Sequence, residues 1–308
     1  MNRPYALLRT LALGSALLTA AGCTDHELLK QELQQAAAKQ EQIKTYRFSG
    51  QAELALDASL FEGMPPMTAA LLSLFKESRI EYKGAASLEA PLRMEADITV
   101  KPKGADAIEL PLLLQDNKLY IHIPALNPSG QYLQFPLQES EKLKNTGRLS
   151  ALLTKRLLDG VKPEWIEEAE EAAPAEGTAA VKRRIISITN QNEKEVEAYA
   201  ASVLPALLEE VVKNGLGSPA QAQEWKTSAE HLHFQSPGSL TLGIGKDGYL
   251  EQQEGKLFLS TDSHPDRQHG ITWSYSTSDI NQPVNFTREI PTQVIQPEDL
   301  LKGLPAVQ

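Results

Sequence analysis

TYRFSGQAELALD, at residues 45–57, has the most informative pattern in the chain, and we call this segment the deciding strand. Polar residues occupy most of its odd positions, and its even positions carry Tyr46, Phe48, Gly50, Ala52, Leu54 and Leu56. Alternate side chains of a β-strand point to opposite faces, and one apolar face with one polar face is typical of an antiparallel sheet. The sequence therefore predicts a long, half-buried antiparallel strand here.

Further segments with a strand-like pattern follow along the rest of the chain. Further strands are predicted at 79–88, 92–101, 108–114, 118–123, 131–135, 181–189, 239–244, 249–260, 270–277 and 284–290. Asp116-Asn117 predicts a tight hairpin turn, and the NPSG sequence at 127–130 predicts another turn. Strands joined by short connections thus dominate the prediction.

A first helix is predicted at 24–44, directly before the deciding strand. Thr24 and Glu27 form a capping box at its start. Its apolar stripe consists of Leu29, Leu33, Ala36 and Ile43. Because this stripe is thin, we expect the helix to lie over the sheet at its far end and to act as a stalk near its start.

Three more segments carry apolar residues at helical spacing. The segment 61–77 contains the pair Pro65-Pro66, which suits a helix start. The segment 140–158 is predicted to face inward with Leu149, Leu152, Leu153 and Leu157. The segment 192–214 has Asn192 as N-cap and Gly215 as its stop. The acidic stretch 164–177 predicts a turn of surface helix followed by a loop, not a domain linker. Helices with apolar faces must pack on something, and the sheet supplies that surface, so the fold class is α+β.

The start of the chain has the pattern of an export signal. Arg3 and Arg9 form a cationic start, and residues 11–21 are an apolar run shorter than the roughly 20 residues that cross a bilayer. Small residues precede Cys23, the only cysteine, and this arrangement resembles the bacterial lipobox. We expect cleavage before Cys23, lipid on its thiol, and a location on the extracytoplasmic face of the cell membrane. An ordinary signal peptide that happens to end at a cysteine is the alternative.

Charge argues against some partners. The leader holds two of the 30 basic residues and none of the 40 acidic ones, so the mature chain has a net charge of −12. Such a charge disfavours nucleic acid as a partner. No polybasic patch lies beside the anchor, so attachment to the membrane is expected to come from the lipid itself.

One glycine motif lacks the context that its chemistry needs. Gly243, Gly245 and Gly248 match the G-x-G-x-x-G pattern. A dinucleotide site requires these glycines to open a helix, whereas residues 246–248 predict a hairpin turn between strands. We therefore interpret the motif as a turn.

The histidines and nucleophiles give no catalytic pattern either. His231 and His233 share a strand face, and His264 and His269 lie in a predicted hairpin loop. A zinc site needs three or four convergent ligands, so we interpret these histidines as solvated. No nucleophile elbow and no zinc-binding helix signature occurs. We expect no enzymatic activity and no cofactor, although catalytic residues far apart in sequence would escape this argument.

The order of elements resembles the LolA/LolB/LppX-like lipoprotein-binding superfamily, including its uncharacterised relatives among Gram-positive lipoproteins. The stretches that carry the resemblance are 40–56 (QEQIKTYRFSGQAELAL), 240–254 (LTLGIGKDGYLEQQE) and 273–290 (WSYSTSDINQPVNFTREI). The resemblance implies a curved antiparallel sheet, an incomplete β-barrel, with helices on its concave face and a cavity for acyl chains or lipoproteins. Together with the export signal, the resemblance predicts four parts, namely a signal peptide (1–22), an anchor with the first helix (23–44), one half-barrel domain (45–295) and a tail (296–308).

Two functions remain open. The first is a module that binds a lipid, lipopeptide or other amphiphile in a cavity between the sheet and the helices at 67–75 and 196–211. Its expected lining is Met64, Met67, Leu71, Leu74, Phe75, Tyr199, Val203 and Leu207. The second is an envelope protein-interaction lipoprotein, a sensor or chaperone, whose half-barrel is filled by its own helices. The oligomeric state is left open.

Overall fold

The computed structural model describes residues 25–62, 75–89, 91–124, 130–136, 146–169, 181–214 and 218–296, with Ala69, Ser73 and Asp299. The helices in these ranges are α1 His26–Lys39, α2 Thr146–Asp159, α3 Glu193–Lys213 and α4 Pro219–Ala229. The first six strands are β1 Thr45–Ala55, β2 Glu77–Ser87, β3 Arg93–Pro102, β4 Ile108–Gln115, β5 Lys118–Ile121 and β6 Tyr132–Pro136. The other six are β7 Ile166–Glu168, β8 Lys182–Ile188, β9 Leu232–Ile244, β10 Leu250–Thr261, β11 His264–Ser278 and β12 Val294–Ile295.

All twelve strands belong to one sheet, in the order β12-β6-β5-β4-β3-β2-β1-β11-β10-β9-β8-β7. Every neighbouring pair is antiparallel except β12 and β6, which run parallel. β1 lies in the middle and joins the strands of the two halves of the chain. The sheet is curved and unclosed, so the predicted fold class of an incomplete barrel with helices is confirmed.

The deciding strand forms as its alternation predicts. The even positions of β1 are half-buried, and Arg47, Ser49 and Glu53 on the other face are exposed. The predicted turn at Asp116-Asn117 joins β4 to β5, and both residues have positive φ. The G-x-G-x-x-G motif lies at the turn between β9 and β10, as the hairpin interpretation requires.

α1 is a core helix rather than a stalk. Leu29 is 4% exposed and Leu33 is fully buried, so burial begins in the first turn and the stalk prediction is wrong. The N-cap is Asp25, whose side chain accepts a hydrogen bond from the backbone N–H of Leu28. Thr24, the cap that we predicted, lies outside the described residues. None of the described helices is both long and apolar enough to cross a membrane.

The other two predicted helices are buried differently from expectation. On α2, Leu158 is 3% exposed and Leu157 is 43% exposed, so the inward stripe ends one residue later than predicted. α3 has the predicted bounds but contains no fully buried residue. α4 was not predicted, although Ser218 caps it with Gln221 in a capping box that the sequence carries. The central parts of the predicted 61–77 helix and residues 140–145 lie outside the described residues.

Two other segments depart from the prediction. In the stretch 164–177, expected as a surface helix turn and loop, Trp165 at the end of a short 3₁₀ helix and Ile166 at the start of edge strand β7 are buried. Residues 170–177 lie outside the described residues. Residues 284–293, expected to contain a strand at 284–290, have no regular structure and end at β12. We call residues 284–293 the C-terminal strap.

The C-terminal strap crosses the sheet face opposite to the helices. The guanidinium group of Arg288 donates to the carbonyl oxygens of Ala96 (2.5 Å) and Leu112 (2.8 Å) and pairs with Asp97. The Glu95 carboxylate accepts from the backbone N–H groups of Thr287 and Arg288 at 2.9 and 3.0 Å. The strap therefore binds β3 and β4 before it reaches the edge of β6.

Candidate functional site

Strand register assigns each side chain to one of two faces. Leu33 of α1 belongs to the same buried cluster as Ile186 of β8 and Leu242 of β9. Tyr46 and Tyr275 line a small cavity together with Thr154 of α2. Residues that share a face with these side chains therefore point toward the helices, and we call this side the interior face.

The opposite, outward face carries charge. Across β1, β2 and β3, Glu81 pairs with Arg79 and Lys101 at 2.8 Å, and Arg79 also reaches Glu53. The pKa of Glu81 is lowered, mainly by its hydrogen bond from Lys101. These side chains are largely solvated, so each pair contributes little to stability. The charged lattice nevertheless fixes which face of these strands points to water.

Described helices cover only one half of the interior face. α1 and the end of α2 pack on the strands β7 to β10, where Leu33 and Ile166 are fully buried. Arg184 of β8, 7% exposed, donates to the Glu32 carboxylate of α1 at 2.7 Å. This charge-assisted pair joins helix to sheet at the rim of that core.

The other half of the interior face, from β2 to β6, is apolar. Phe48, Gly84, Ala96, Leu112 and Ile121 follow one another across the register from β1 to β5. The larger side chains on this half are Ile80, Tyr82, Met94, Ile98, Val100, Ile108, Leu110, Leu112, Leu114, Leu119, Ile121, Leu133 and Phe135. No charged residue occurs among them, and most are half-buried. No described helix makes an extensive contact with these five strands.

An aromatic group lies between the two halves. The rings of Tyr82 and Tyr275 stack with centroids 6.4 Å apart, and Tyr46 lines the same small cavity as Tyr275. Burial raises the pKa of Tyr46 and of Tyr275. Gly50 provides room for this packing, because a Cβ there would lie 2.5 Å from the ring of Tyr82. The adjoining cavity, lined partly by Gln40 and Thr277, measures about 80 Å³.

Larger grooves occur elsewhere, but they are open and lined by polar groups. One of about 510 Å³ lies on the outward face beside Glu53, Thr241 and Lys256. Another of about 410 Å³ lies between α1 and the β9–β10 turn, beside Lys39 and Lys182. Charged, solvated walls do not favour an apolar ligand. The interior face of β2–β6 is therefore the candidate site.

One interior residue in the first half of β11 is polar and buried. His269 is 1% exposed, and its Nδ1 accepts a hydrogen bond from the backbone N–H of Asp57 at 3.1 Å. Its Nε2 has no hydrogen-bond partner. Burial lowers the pKa of this imidazole. The prediction that His269 is solvated in a hairpin loop is therefore wrong, because β11 begins at His264 and carries His269 into the sheet.

Three other histidines, His231, His233 and His264, contact carboxylates. His231 and His233 both contact the Asp262 carboxylate, and His233 also contacts Glu197 of α3 at 2.9 Å. His264 lies 3.7 Å from Glu62. Within the described ranges, no group of three or more such side chains is arranged to hold a metal ion.

Half of the predicted lining residues lie outside the described residues. These are Met64, Met67, Leu71 and Leu74, and Cys23 also lies outside. Phe75 is half-buried, and its carbonyl oxygen accepts from the Ser78 hydroxyl at 2.8 Å.

The described predicted residues on α3 are half-buried. The Tyr199 hydroxyl donates to the carbonyl oxygen of Leu157 at 2.5 Å, and its ring lies against Trp165 and Gly160. Val203 and Leu207 follow on the same helix face. The structure does not bring these three to the strands β2–β6. The interior residues of β2–β6 were missed as a site, although their alternation in the sequence was the available signal.

Comparison with known proteins finds little. No protein-family model matches the sequence, and no curated protein matches it significantly. Among solved structures, the crystal structure of LprF from Mycobacterium bovis is similar, with a TM-score of 0.40 and 11% sequence identity. The match covers 85% of this chain and 97% of LprF. Similarity at this level does not establish a family.

Proposed function

We propose that this protein is a membrane-anchored extracytoplasmic lipoprotein that binds the acyl chain of a lipid or other amphiphile on the interior face of its sheet. Cys23, after its apolar leader, supplies the anchor in this proposal. The resemblance to the LolA/LolB/LppX-like superfamily supports the proposed lipid binding, because it implies an acyl-chain cavity. No catalytic role is proposed.

The observation that carries the proposal is the unequal cover of the interior face. α1 and α2 fill the half at β7–β10, whereas the half at β2–β6 presents apolar side chains without an extensive described helix contact. At about 4.8 Å between neighbouring strands, β2 to β6 span roughly 20 Å. An apolar face of that extent, on which no described helix packs extensively, is of the size that binding sites use.

The chemistry of this face favours an acyl chain over a polar ligand. Ile98, Leu110 and Leu112 represent its lining, which contains no charged side chain. A space lined only by such groups stays dry and accepts apolar guests. Each methylene that leaves water contributes about 0.8 kcal/mol, so a long chain gains enough free energy to offset its immobilisation.

A pair of neighbouring substitutions tests the site. Ile98 points to the interior face, and Thr99, the next residue of β3, points outward and bonds to Glu109. We expect the purified wild-type domain to carry lipid in native mass spectrometry and to bind a fluorescent fatty acid. Ile98→Trp should lower the affinity for that probe at least tenfold, and Thr99→Trp should leave it within about twofold. Thermal unfolding of both variants controls for loss of fold.

The anchor has its own test. Cys23→Ser removes the thiol that would carry the lipid, so the protein should lose incorporation of labelled palmitate and leave the membrane fraction. Continued lipid labelling and membrane retention of this variant would contradict the anchor proposal. That result would not contradict lipid binding by the domain, because the binding site does not include Cys23.

A protein-interaction lipoprotein is the second candidate. Val100 and Leu133 on the interior face are 6% and 3% exposed, so part of this half is already covered by the chain itself. If no lipid co-purifies and no fatty acid, lipid or lipopeptide binds the wild-type domain, the self-filled half-barrel replaces the binding module.

A further inference from the structure

His269 shares the interior face with the aromatic side chains of β11. It pairs with Leu259 of β10 in the same register in which Ile271 pairs with Leu257. Alternate residues of β11 then bring Trp273 and Tyr275 to the same side. His269 thus stands at the end of the interior face where the chain leaves β1 for residues 57–62.

One hydrogen bond fixes the tautomer of this imidazole. Nδ1 accepts from the backbone N–H of Asp57, so it carries no proton in the neutral ring. The proton is therefore assigned to Nε2, and burial keeps the ring neutral. His269 consequently presents an N–H donor on the side of the ring that faces away from Asp57.

That donor has no acceptor although the ring is 1% exposed. Buried polar groups are almost always hydrogen-bonded, so an orphan donor calls for a partner. The nearby carboxylates are already engaged, because Asp57 accepts from the backbone N–H of Ser59 and lies 3.8 Å from Arg267, and Glu62 lies 3.7 Å from His264.

We propose that His269 is the polar anchor of the interior site, where its Nε2–H donates a hydrogen bond to the oxygen acceptor at the end of a bound acyl chain. This inference rests on the proposed function. The acceptor is a carboxyl group or an ester carbonyl, since both offer an sp² oxygen to a neutral N–H donor. In this proposal His269 binds the polar end of an amphiphile, and the apolar side chains of the strands bind its acyl chain.

Three ligands of equal chain length separate the possibilities, namely dodecanoic acid, methyl dodecanoate and 1-chlorododecane, which lacks a comparable acceptor. Each displaces a fluorescent probe from the wild-type protein and from His269→Asn. The asparagine keeps an acceptor for the Asp57 N–H and removes the atom at Nε2. We expect the variant to lose about tenfold in affinity for the acid or the ester and to bind 1-chlorododecane unchanged.

The pattern of results separates the role proposed for His269 from the proposed lipid binding itself. A loss confined to the acid identifies a carboxylate, and a loss for both oxygen ligands identifies the shared carbonyl. Equal affinity of wild type and variant for all three ligands, or an equal loss for all three, would contradict the role proposed for His269. Neither result would contradict the proposed lipid binding. Failure of the wild-type protein to bind any of them overturns both.

A second measurement uses the wild-type protein alone, in case the variant folds poorly. In a sample with ¹⁵N-labelled histidine, dodecanoic acid or its methyl ester should move the His269 Nε2–H proton downfield while Nδ1 remains unprotonated. A merely structural imidazole would keep its resonance on addition of saturating ligand, and that result would contradict the proposal.

Discussion

His233 lies between carboxylates from two different elements. Its Nδ1 is 2.9 Å from Glu197 on α3, and its Nε2 is 2.5 Å from Asp262 at the β10–β11 turn. Hydrogen bonding to Asp262, followed by that to Glu197, raises the pKa of the imidazole. The protonated ring therefore ties α3 to the sheet, while the exposure of all three side chains limits the strength of the contact.

The His233 contact should depend on pH in a defined direction. A histidine whose pKa is raised on folding contributes fully below its unfolded value of about 6.5, and the contribution disappears as pH rises through the folded value. His233→Gln should therefore lower the melting temperature at pH 5.5 and have little effect at pH 9. His231 contacts Asp262 alone, so His231→Gln should change the melting temperature less. An equal effect of His233→Gln at both pH values would contradict this assignment.

Some residue-scale features could be read from the sequence. Leu29, Leu33 and Ala36 are buried as their helical spacing predicts. The burial of His269 could not be foreseen, because the start of β11 has no apolar alternation and reads as a loop. Pairing with β10 decides its environment, and such pairing leaves no local sequence signal.

At the scale of elements, α1 carries more of the core than α3. Leu33 of α1 is fully buried, whereas Leu28 of the same helix is 52% exposed. Leu33→Ala should lower the free energy of unfolding by about 2–5 kcal/mol through lost burial and the cavity left behind. Leu28→Ala, the matched control, should change it by less than about 0.5 kcal/mol. Urea denaturation measures both, and similar small effects would mean that α1 is not part of the core.

The guanidinium group of Arg288 binds the C-terminal strap to the sheet by donating to two backbone carbonyls. Arg288→Ala should cost about 2–3 kcal/mol in urea denaturation, because hydrogen bonds from a charged donor to buried acceptors are lost. Arg267→Ala, at a side chain 56% exposed, serves as control and should cost less than about 0.5 kcal/mol. Equal costs would show that the strap does not depend on Arg288.

Helices and strands were predicted correctly where a long segment has periodic apolar residues. The prediction failed where contacts with distant segments determine the local structure. The strands β1 to β6 and the bounds of α3 follow their patterns closely. The strap was predicted as a strand at 284–290 because polar and apolar residues alternate there. Arg288 binds across the sheet face instead, so the segment has no strand partner. The short edge strand β7 was hidden by its acidic composition.

At the scale of the whole molecule, one sheet connects every described strand. Trp273 lies in the middle of this sheet, Trp165 beside the edge strand β7, and Trp225 on α4. We expect a variant that retains only Trp273 and a variant that retains only Trp165 each to show one fluorescence midpoint in urea, set by that variant's own stability, as a two-state unit does. Far-UV circular dichroism of the same variant should give that midpoint too. Two separated midpoints within one variant would indicate two independently folding parts.

The architecture was predictable as a class but not as a strand order. Alternation predicts antiparallel strands, and apolar helix stripes predict helices against them. The pairing of β1 with β11 joins Arg47 to Ser278, and no local property of either segment specifies that register. Only the complete chain, with both halves sharing one sheet, determines it.

The central position of β1 has a consequence for how the protein is made. Its partner β11 lies more than 200 residues later in the chain, so the free edge of β1 waits until nearly the whole polypeptide has emerged. Pairings between such distant segments are slow to form, and an open strand edge invites pairing with other chains in the meantime. We therefore expect newly synthesised chains to need a holding chaperone, and a circular permutant in which β11 precedes β1 to refold faster than the natural order.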